Sequence, residues 1–445
     1  MNEQERTYYI ETFGCQMNVR DSETIAGILR QKGYVRAAET KEGADFILYN
    51  TCCVRDHAEK RVFGNIGALR ELKEERPDLI LAVCGCMMQQ KDTAEKLFRR
   101  FPYVDLVFGT NLLDQLPGYI DEARLHNRVL AVEKNAVTIH EGLPAERSGG
   151  INAFVNINFG CNNYCTYCIV PFVRGPERSR RPEDIIEEVR SLTRAGYSEI
   201  TLLGQNVNSY GYDLTGTDFS DLLTSVSAVE GLRRVRFMTS HPKDLSERLI
   251  GTIASLPNVC HHVHLPMQSG SDRILKRMNR KYDRVRYLGI VEGLRAAMDD
   301  VELTTDIIVG FPGETVEDFA DTLDMVERVG FASAFTFKYS PRKGTAAAVM
   351  PDQVPEAEKR ERLKLLNALQ EKKSFENNQR YVGRSGLVHV EGCDTRGEPM
   401  CFGKYANFKM VYFPGNPELI GRYVPVKATS VRANSLIGAM EETEC

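Results

Sequence analysis

The 445-residue chain lacks a long hydrophobic run. Its longest stretch of purely apolar or small residues is Leu79–Met88, whereas a membrane-spanning helix needs about 20 such residues. The N-terminal sequence MNEQERTYYI is charged and does not have the apolar segment of a secretory signal. We therefore expect a cytoplasmic protein with no membrane partner. The length predicts about three domains, since about 150 residues is typical of one domain.

The sequence also lacks an excess of charge of either sign. It has 57 Lys and Arg against 61 Asp and Glu, which gives a formal net charge of −4. No overall basic surface follows from this balance, so a contact with nucleic acid would depend on a local patch. The apolar fraction of 42% and the charged fraction of 27% are typical of a globular protein and exclude a disordered or collagen-like chain.

Cysteine, in contrast, is abundant, with twelve residues. Disulfides are disfavoured in the cytosol, so metal or redox chemistry is the better explanation for most of them. The exceptions are Cys260, Cys393 and Cys401, which we expect to be ordinary thiols in the core or at the surface.

The pattern of strands and helices predicts an α/β protein with three parts. Residues 5–125 alternate between strand and helix, which predicts a doubly wound parallel α/β domain. Residues 126–146 are interpreted as a linker. Residues 147–377 contain six strand–helix units and predict a partial (βα)6 barrel. Residues 378–442 contain short β-like runs and predict a small all-β barrel.

The strongest chemical motif is a group of three cysteines directly after the first barrel strand. Cys161, Cys165 and Cys168 have the spacing C-x3-C-x2-C, which does not complete a zinc site with four ligands. A cubic iron–sulfur cluster needs one cysteine for each of its four irons, so three cysteines leave one iron open. An open iron can bind the amino and carboxylate groups of S-adenosylmethionine, and the cluster can then supply the electron that generates a 5′-deoxyadenosyl radical.

A second group of cysteines is dispersed over the N-terminal domain. Cys15, Cys52 and Cys86 each follow a predicted strand. Since the strands are parallel, we expect all three to meet at the carboxyl edge of one sheet. The spacing leaves two alternatives open, because Cys53 could replace Cys52 and Cys84 could replace Cys86.

The sequence around these cysteines resembles the methylthiotransferases of the radical S-adenosylmethionine superfamily. The similar motifs are TFGCQMN, NTCCVR, CGCMMQ, CNNYCTYCIVPFVRG, LGQNVNSYG, MTSHP, HLPMQSGS and TTDIIVGFPGET. The first motif and the stretch Arg55–Gly67 are similar to the MiaB-type branch, which modifies tRNA. The last 65 residues resemble a TRAM domain, a small RNA-binding β-barrel.

The resemblance implies a reaction, its cofactors and its partners. MiaB-type enzymes replace the C2 hydrogen of N6-isopentenyladenosine at tRNA position 37 with a methylthio group. The implied cofactors are S-adenosylmethionine and two [4Fe-4S] clusters, one for radical chemistry and one auxiliary. The implied partners are tRNA, an electron donor and a sulfur source, and we expect a monomer.

The resemblance also implies site residues. The ligands of the auxiliary cluster would be Cys15, Cys52 and Cys86, and those of the radical cluster Cys161, Cys165 and Cys168. The residues implied for S-adenosylmethionine are Gly204, Gln205, Ser240, Gln268, Arg280 and Asp306. Residues 378–440 carry a net charge of +4, and within them we assign RNA binding to Lys404, Asn407, Phe408 and Lys409. No residue stands out as a general base.

Several residues allow two interpretations. Arg174, Arg178, Arg180 and Arg181 could contact tRNA phosphates or the cofactor carboxylate, or could form a solvated charged face. His261, His262 and His264 look like a metal cluster, but strand alternation places His261 on the opposite face from the other two. For the whole chain, the alternatives are a different methylthiotransferase substrate and a non-catalytic iron–sulfur protein that binds RNA.

Overall fold

The computed structural model describes residues 5–36, 40–53, 56–133, 139–147, 151–432 and 434–441. Arg55, part of the predicted linker and the C-terminal residue Cys445 lie outside these ranges. The chain divides into two compact units. The first contains residues 1–149, 159–162 and 169–180, and the second contains residues 150–158, 163–168 and 181–445. In the described ranges, no helix combines the length and hydrophobicity that crossing a membrane requires.

The first unit is built on a parallel sheet of six strands in the order β2-β1-β3-β4-β5-β6. Alternate residues of its central strands enter two separate cores. Ile47 and Tyr49 pack into the core on one face, whereas Phe46 and Leu48 pack into the core on the other. Burial on both faces explains why these strands are nearly continuous apolar runs. The strands are β1 (Arg6–Thr12), β2 (Tyr34–Arg36), β3 (Phe46–Thr51), β4 (Ile80–Gly85), β5 (Leu106–Phe108) and β6 (Val129–Ala131).

The helices of this unit differ from the prediction at two places. The first helix begins at Gln16, five residues before the predicted start. The predicted helix Asp56–Glu75 is broken near Gly67, and glycine is among the least favourable residues inside a helix. The helices are α1 (Gln16–Gln31), α2 (Asp56–Gly67), α3 (Arg70–Glu75), α4 (Lys91–Arg100), α5 (Leu116–Arg124) and α6 (Val170–Val173).

The predicted linker is structured in its described parts. Val129–Ala131 forms β6 and pairs with β5. Further along, the backbone of Pro144 lies so close to α1 that a Cβ atom at Gly27 would be 2.5 Å from it. Glu146 accepts a hydrogen bond from the Tyr8 hydroxyl at 3.0 Å. These linker residues therefore belong to the first unit.

The second unit contains the predicted six strands of a partial barrel. They form two parallel sheets, in the orders β11-β10-β7 and β12-β13-β14. An isolated parallel bridge pairs Val235 of β11 with Val259, three residues before β12. The strands of the partial barrel are β7 (Asn152–Asn156), β10 (Glu199–Leu203), β11 (Arg234–Phe237), β12 (His262–His264), β13 (Glu302–Val309) and β14 (Ser333–Lys338). Two short strands, β8 (Asn158–Phe159) and β9 (Arg178–Ser179), form a separate pair, and β9 belongs to the first unit.

Helices cover the outer face of this partial barrel. Two of them begin with a capping box, in which the side chain of Asp218 or Thr315 accepts a hydrogen bond from a backbone N–H of the first turn. The backbone N–H of the same residue donates one in return to the side chain of Asp221 or Asp318. The helices are α7 (Pro182–Arg194), α8 (Phe219–Ser227), α9 (Glu247–Ser255), α10 (Asp272–Arg277), α11 (Arg284–Ala297), α12 (Val316–Val329) and α13 (Glu356–Gln379).

The C-terminal strands form a closed barrel in the order β15-β16-β17-β19-β18. Cys393 and Cys401 face each other across β15 and β16 and form a disulfide. The prediction that both are thiols is therefore wrong, because the antiparallel register places the two side chains side by side. The strands are β15 (Ser385–Asp394), β16 (Met400–Lys404), β17 (Met410–Pro414), β18 (Tyr423–Arg432) and β19 (Ser435–Met440).

Charged residues at the amino ends of the partial-barrel strands hold the C-terminal barrel in place. Glu199 receives hydrogen bonds from Arg236 at 2.7 Å and lies 3.1 Å from His389 Nδ1. Arg234 donates to the backbone oxygens of Lys404 and Leu387. Burial alone would raise the pKa of Glu199, but the hydrogen bonds with His389 and Arg236 outweigh it and lower the pKa to about 2.

We predict that Glu199→Gln destabilises the second unit by about 3 kcal/mol, because it leaves the guanidinium of Arg236 buried without its counter-charge. The exposed Glu183→Gln on α7 is the matched control. Since the pKa of Glu199 is lowered on folding, its contribution is complete above about pH 4.5 and is lost as the pH falls towards 2. Unfolding in urea at several pH values measures this difference. Equal midpoints for the two variants at pH 7 would contradict the prediction.

Candidate functional site

The three N-terminal cysteines follow three strands that are neighbours in the sheet. Cys15 precedes α1, three residues after the end of β1. Cys52 and Cys86 come directly after β3 and β4. Because β1, β3 and β4 are adjacent and parallel, the prediction that these cysteines share one sheet edge is confirmed.

The side chain of Asn18 connects these loops. Its Nδ2 donates to Asn50 Oδ1 at 3.1 Å and to Thr51 O at 3.0 Å. Its Oδ1 lies 3.5 Å from the sulfur of Cys15 and 4.0 Å from that of Cys86. Asn18 is fully buried, so it connects the loops that carry all three cysteines.

A buried arginine also contacts the sulfur of Cys86. Arg174 Nε donates to Cys86 Sγ at 3.2 Å, and its Nη2 donates to Asp21 Oδ2 at 2.7 Å. Burial alone would lower the pKa of Arg174, but the charges of Asp21 and Cys86 raise it. The hydrogen bond with Cys53 and the positive charge of Arg174 lower the pKa of the Cys86 thiol. The surroundings of Cys86 therefore favour its thiolate form.

The structure also bears on the two cysteine alternatives. Cys84 packs into the core on the other face of the sheet from Cys86, and burial raises the pKa of its thiol. Cys86 is therefore the better ligand of the two. Cys53 lies beside Cys86, and its hydrogen bond with Cys86 raises the pKa of the Cys53 thiol. Both Cys52 and Cys53 lie at this edge of the sheet, so the choice between them as the ligand stays open. Among the described side chains, no three His, Cys, Asp or Glu residues are already arranged as a complete metal site.

Buried contacts anchor the ends of the C-x3-C-x2-C loop. In the second unit, Arg280 Nη1 donates to Cys165 Sγ at 3.3 Å, and Thr166 Oγ1 donates to Arg277 O at 2.9 Å. In the first unit, the backbone N–H of Cys161 donates to Gly175 O at 3.2 Å. Arg280, which the resemblance assigned to S-adenosylmethionine, therefore binds a cysteine of the motif.

Buried polar side chains collect at the carboxyl ends of the partial-barrel strands. Five of them carry an oxygen or nitrogen that has no hydrogen-bond partner within the described part of the chain. They follow β7, β10, β11 and β12 in turn, where barrel enzymes bind their substrates. These side chains are Asn158, Asn206, Asn208, Ser240 and Gln268. Buried polar atoms of this kind fit a polar cofactor such as S-adenosylmethionine.

The other residues assigned to S-adenosylmethionine lie near this edge. Gly204 and Gln205 directly follow β10. Asp306 is on β13, with Oδ2 at 3.5 Å from His264 Nε2. Asn158, Asn206 and Asn208 are not among the site residues predicted from the sequence, although the last two lie in the motif LGQNVNSYG. Their signal was the run of amides after a strand.

Three of the four clustered arginines and two of the three histidines are buried, whereas Arg181 is exposed and pairs with Asp184 at 2.8 Å. Arg174, Arg178 and Arg180 are buried, and Arg180 pairs with Glu141 at 2.6 Å. His262 and His264 both contact Thr304 inside the partial barrel. The interpretation of these histidines as interior residues of the barrel fits this placement.

The four residues assigned to RNA lie against the partial barrel. The ring of Phe408 stacks on His262 with centroids 4.4 Å apart. Lys409 Nζ is bound by Asn377 and Asn378, and Asn407 Nδ2 donates to Asp300 O. Lys404 pairs with Glu391. These contacts give each of the four residues a role in packing. They do not test whether the residues bind RNA, which stays a prediction.

Three family models match the chain. They are uncharacterized protein family UPF0004 over residues 7–109, the radical SAM superfamily over 155–326, and the TRAM domain over 379–440. A protein of Clostridium tetani named tRNA-2-methylthio-N(6)-dimethylallyladenosine synthase is 50% identical over 98% of this chain and 96% of its own length. A protein of the same name from Caldicellulosiruptor saccharolyticus is 50% identical over 98% of this chain and 93% of its own.

The chain belongs to the family of tRNA-2-methylthio-N(6)-dimethylallyladenosine synthases.

Solved structures support the fold of this synthase family. The radical S-adenosylmethionine methyltransferase TsrM from Kitasatospora setae, solved with cobalamin and a [4Fe-4S] cluster, has a TM-score of 0.56 and 13% identity, and covers 78% of this chain and 74% of its own. Membership of the radical SAM superfamily implies a [4Fe-4S] cluster and S-adenosylmethionine. The expected fold class, with an N-terminal α/β domain, a partial barrel and a TRAM barrel, is confirmed.

We predict that Gly204→Ala weakens the binding of S-adenosylmethionine about tenfold. A Cβ atom at this position would lie 1.8 Å from Oδ1 of Asn158, whose Nδ2 holds the backbone of Asn206. Displacing Asn158 costs one or two hydrogen bonds at the polar edge, which corresponds to about one order of magnitude in affinity.

Gly251→Ala is the matched control, because a Cβ atom there meets nothing within 4 Å. Calorimetric titration of the anaerobically reconstituted protein measures the affinity, and iron content shows that the cluster is present. The prediction is wrong if the two alanine variants bind S-adenosylmethionine equally well.

Proposed function

We propose that this chain is a tRNA methylthiotransferase that converts N6-isopentenyladenosine at tRNA position 37 to its 2-methylthio derivative. The observation that carries the proposal is the 50% identity over nearly the full length of synthases with this activity in their name. The proposal includes two [4Fe-4S] clusters, with Cys161, Cys165 and Cys168 on one and Cys15, Cys52 and Cys86 on the other.

The substrate explains why two groups of cysteines are needed. The C2–H bond of a purine is neither acidic nor electrophilic enough for ordinary acid–base catalysis. Cys161, Cys165 and Cys168 would hold the radical cluster, which together with S-adenosylmethionine would supply the radical chemistry that this C–H bond needs. Cys15, Cys52 and Cys86 would leave one iron of the auxiliary cluster open for the sulfur, and a second S-adenosylmethionine would supply the methyl group. Each group of cysteines thus has its own task.

The protein residues orient and shield the reacting groups. The polar atoms of Asn208, Ser240 and Gln268 would bind the polar groups of S-adenosylmethionine at the barrel edge. Arg280 holds Cys165 in place through a hydrogen bond to its sulfur. Arg174 does the same for Cys86.

Single cysteine variants separate the two tasks. We expect Cys161→Ala to abolish both 5′-deoxyadenosine and the methylthio product. Cys15→Ala should keep the formation of 5′-deoxyadenosine and stop sulfur insertion, because only the auxiliary site is damaged. The assay combines reconstituted protein, isopentenylated tRNA, S-adenosylmethionine and a strong reductant without oxygen. Mass spectrometry of the digested nucleosides measures the product.

The buried Cys260→Ala is the matched control and should keep both products. Cys52→Ala should behave as Cys15→Ala, whereas Cys53→Ala should keep both products. Methylthiolation by Cys15→Ala would refute the two-cluster proposal. Formation of 5′-deoxyadenosine by the unmodified chain without any methylthio product would instead point to another substrate.

Arg174→Met should weaken the auxiliary site. Loss of a residue that orients a metal ligand typically costs 10- to 100-fold in metal affinity, so we expect iron to leave about tenfold faster to a chelator. The measurement uses a background in which Cys161, Cys165 and Cys168 are alanine, so that only the auxiliary iron is counted. Arg234→Met, which removes another buried arginine, is the control. Equal rates of iron loss in the two variants would exclude a role for Arg174.

A further inference from the structure

Strand β14 presents two different faces. Thr336 Oγ1 donates to Asn367 of α13, and Lys338 forms an ion pair with Glu356 of the same helix. The alternate residues Phe335 and Phe337 point to the opposite face and are 55% and 45% exposed. Two phenyl rings on one strand face are therefore left uncovered.

The pairing with β13 shows that this is the inner face of the partial barrel. Phe335 lies opposite Asp306, and Phe337 lies opposite Ile308. The neighbouring residues Ile307 and Val309 belong to the core that packs against the outer helices. Since side chains alternate along a strand, Asp306 and Ile308 face inwards together with the two rings.

Phe335 and Phe337 form an apolar wall on this inner surface, and polar side chains lie beside it. The ring of Phe335 meets that of His264 edge-on, with centroids 5.9 Å apart, and His264 contacts Asp306. The wall lies just before the carboxyl end of β13, near the level of the polar edge assigned to S-adenosylmethionine. In the described sheet, β14 is an edge strand, so a ligand can reach the wall without separating two strands.

We propose that Phe335 and Phe337 bind the isopentenyl group of the target adenosine and so select the modified nucleoside. This inference rests on the proposed function. A base that undergoes chemistry must leave its stack and enter a pocket. The five-carbon isopentenyl substituent is apolar and uncharged, and its removal from water against two phenyl rings is favourable. An unmodified adenosine has no group to place there.

The test compares two anticodon stem-loops, one with isopentenyladenosine and one with adenosine at the target position. Fluorescence anisotropy measures their affinity for the reconstituted chain. We expect Phe335→Ala and Phe337→Ala each to weaken binding of the isopentenylated stem-loop about tenfold and to leave binding of the other unchanged. Phe375→Ala, which removes an exposed phenylalanine of α13, is the matched control and should change neither affinity.

Circular dichroism and the affinity for S-adenosylmethionine show that the variants are folded. An equal loss for both stem-loops, or no loss for either, would overturn the inference. The proposed function is tested separately, on the unmodified chain. If that chain does not methylthiolate the isopentenylated stem-loop, the function fails. If it does and the variants still bind normally, only the role of the two rings fails.

Discussion

Parallel pairing of neighbouring strands is the constraint on which the dispersed cysteine group and the polar edge of the partial barrel depend. A parallel strand pair must be connected by a crossover, so every strand in the sheet ends at the same edge. In the first unit this brings the loops after β1, β3 and β4 together, although Cys15 and Cys86 are 71 positions apart in the sequence. In the second unit the same rule collects the polar residues after β7, β10, β11 and β12. The strand topology therefore determines where the cysteine and polar side chains meet, and the loop sequences determine which side chains they are.

The opposite ends of the barrel strands serve a structural purpose. Glu199, Arg234, His262 and Glu302 stand at or beside the starts of their strands, and each contacts the C-terminal barrel. Buried polar and charged groups of this kind are costly unless each has a partner, and here the partners come from both modules. The arrangement fixes the C-terminal barrel at the end away from the polar edge. It also explains why Lys409 and Asn407 are buried although their sequence has the composition of an RNA-binding loop.

The sequence predicted the element order and the cysteine edges well because periodicity and strand connectivity are local properties. The prediction was less accurate for features that depend on the strand register or on contacts between residues far apart in the sequence. The strand at Val129–Ala131 is three residues long, and only its pairing with β5 defines it. The disulfide of Cys393 and Cys401 depends on a strand register that cannot be obtained from spacing alone. Asn18 and Arg174 could not be recognised either, because their importance comes from the sulfur atoms they approach in the folded chain.

A common feature of the two cysteine groups is a buried guanidinium within hydrogen-bond distance of one sulfur. Arg174 lies 3.2 Å from Cys86, and Arg280 lies 3.3 Å from Cys165. Their other partners differ: Arg174 shares its charge with Asp21, whereas Arg280 has hydroxyl and backbone oxygen partners and no carboxylate among the described ion pairs. Hydrogen bonds and positive charge near the ligating sulfurs favour the more negative, reduced form of an iron–sulfur cluster. In the proposed assignment of the clusters, the full charge of Arg280 would act beside the radical cluster, and Asp21 would moderate the charge of Arg174 beside the auxiliary cluster.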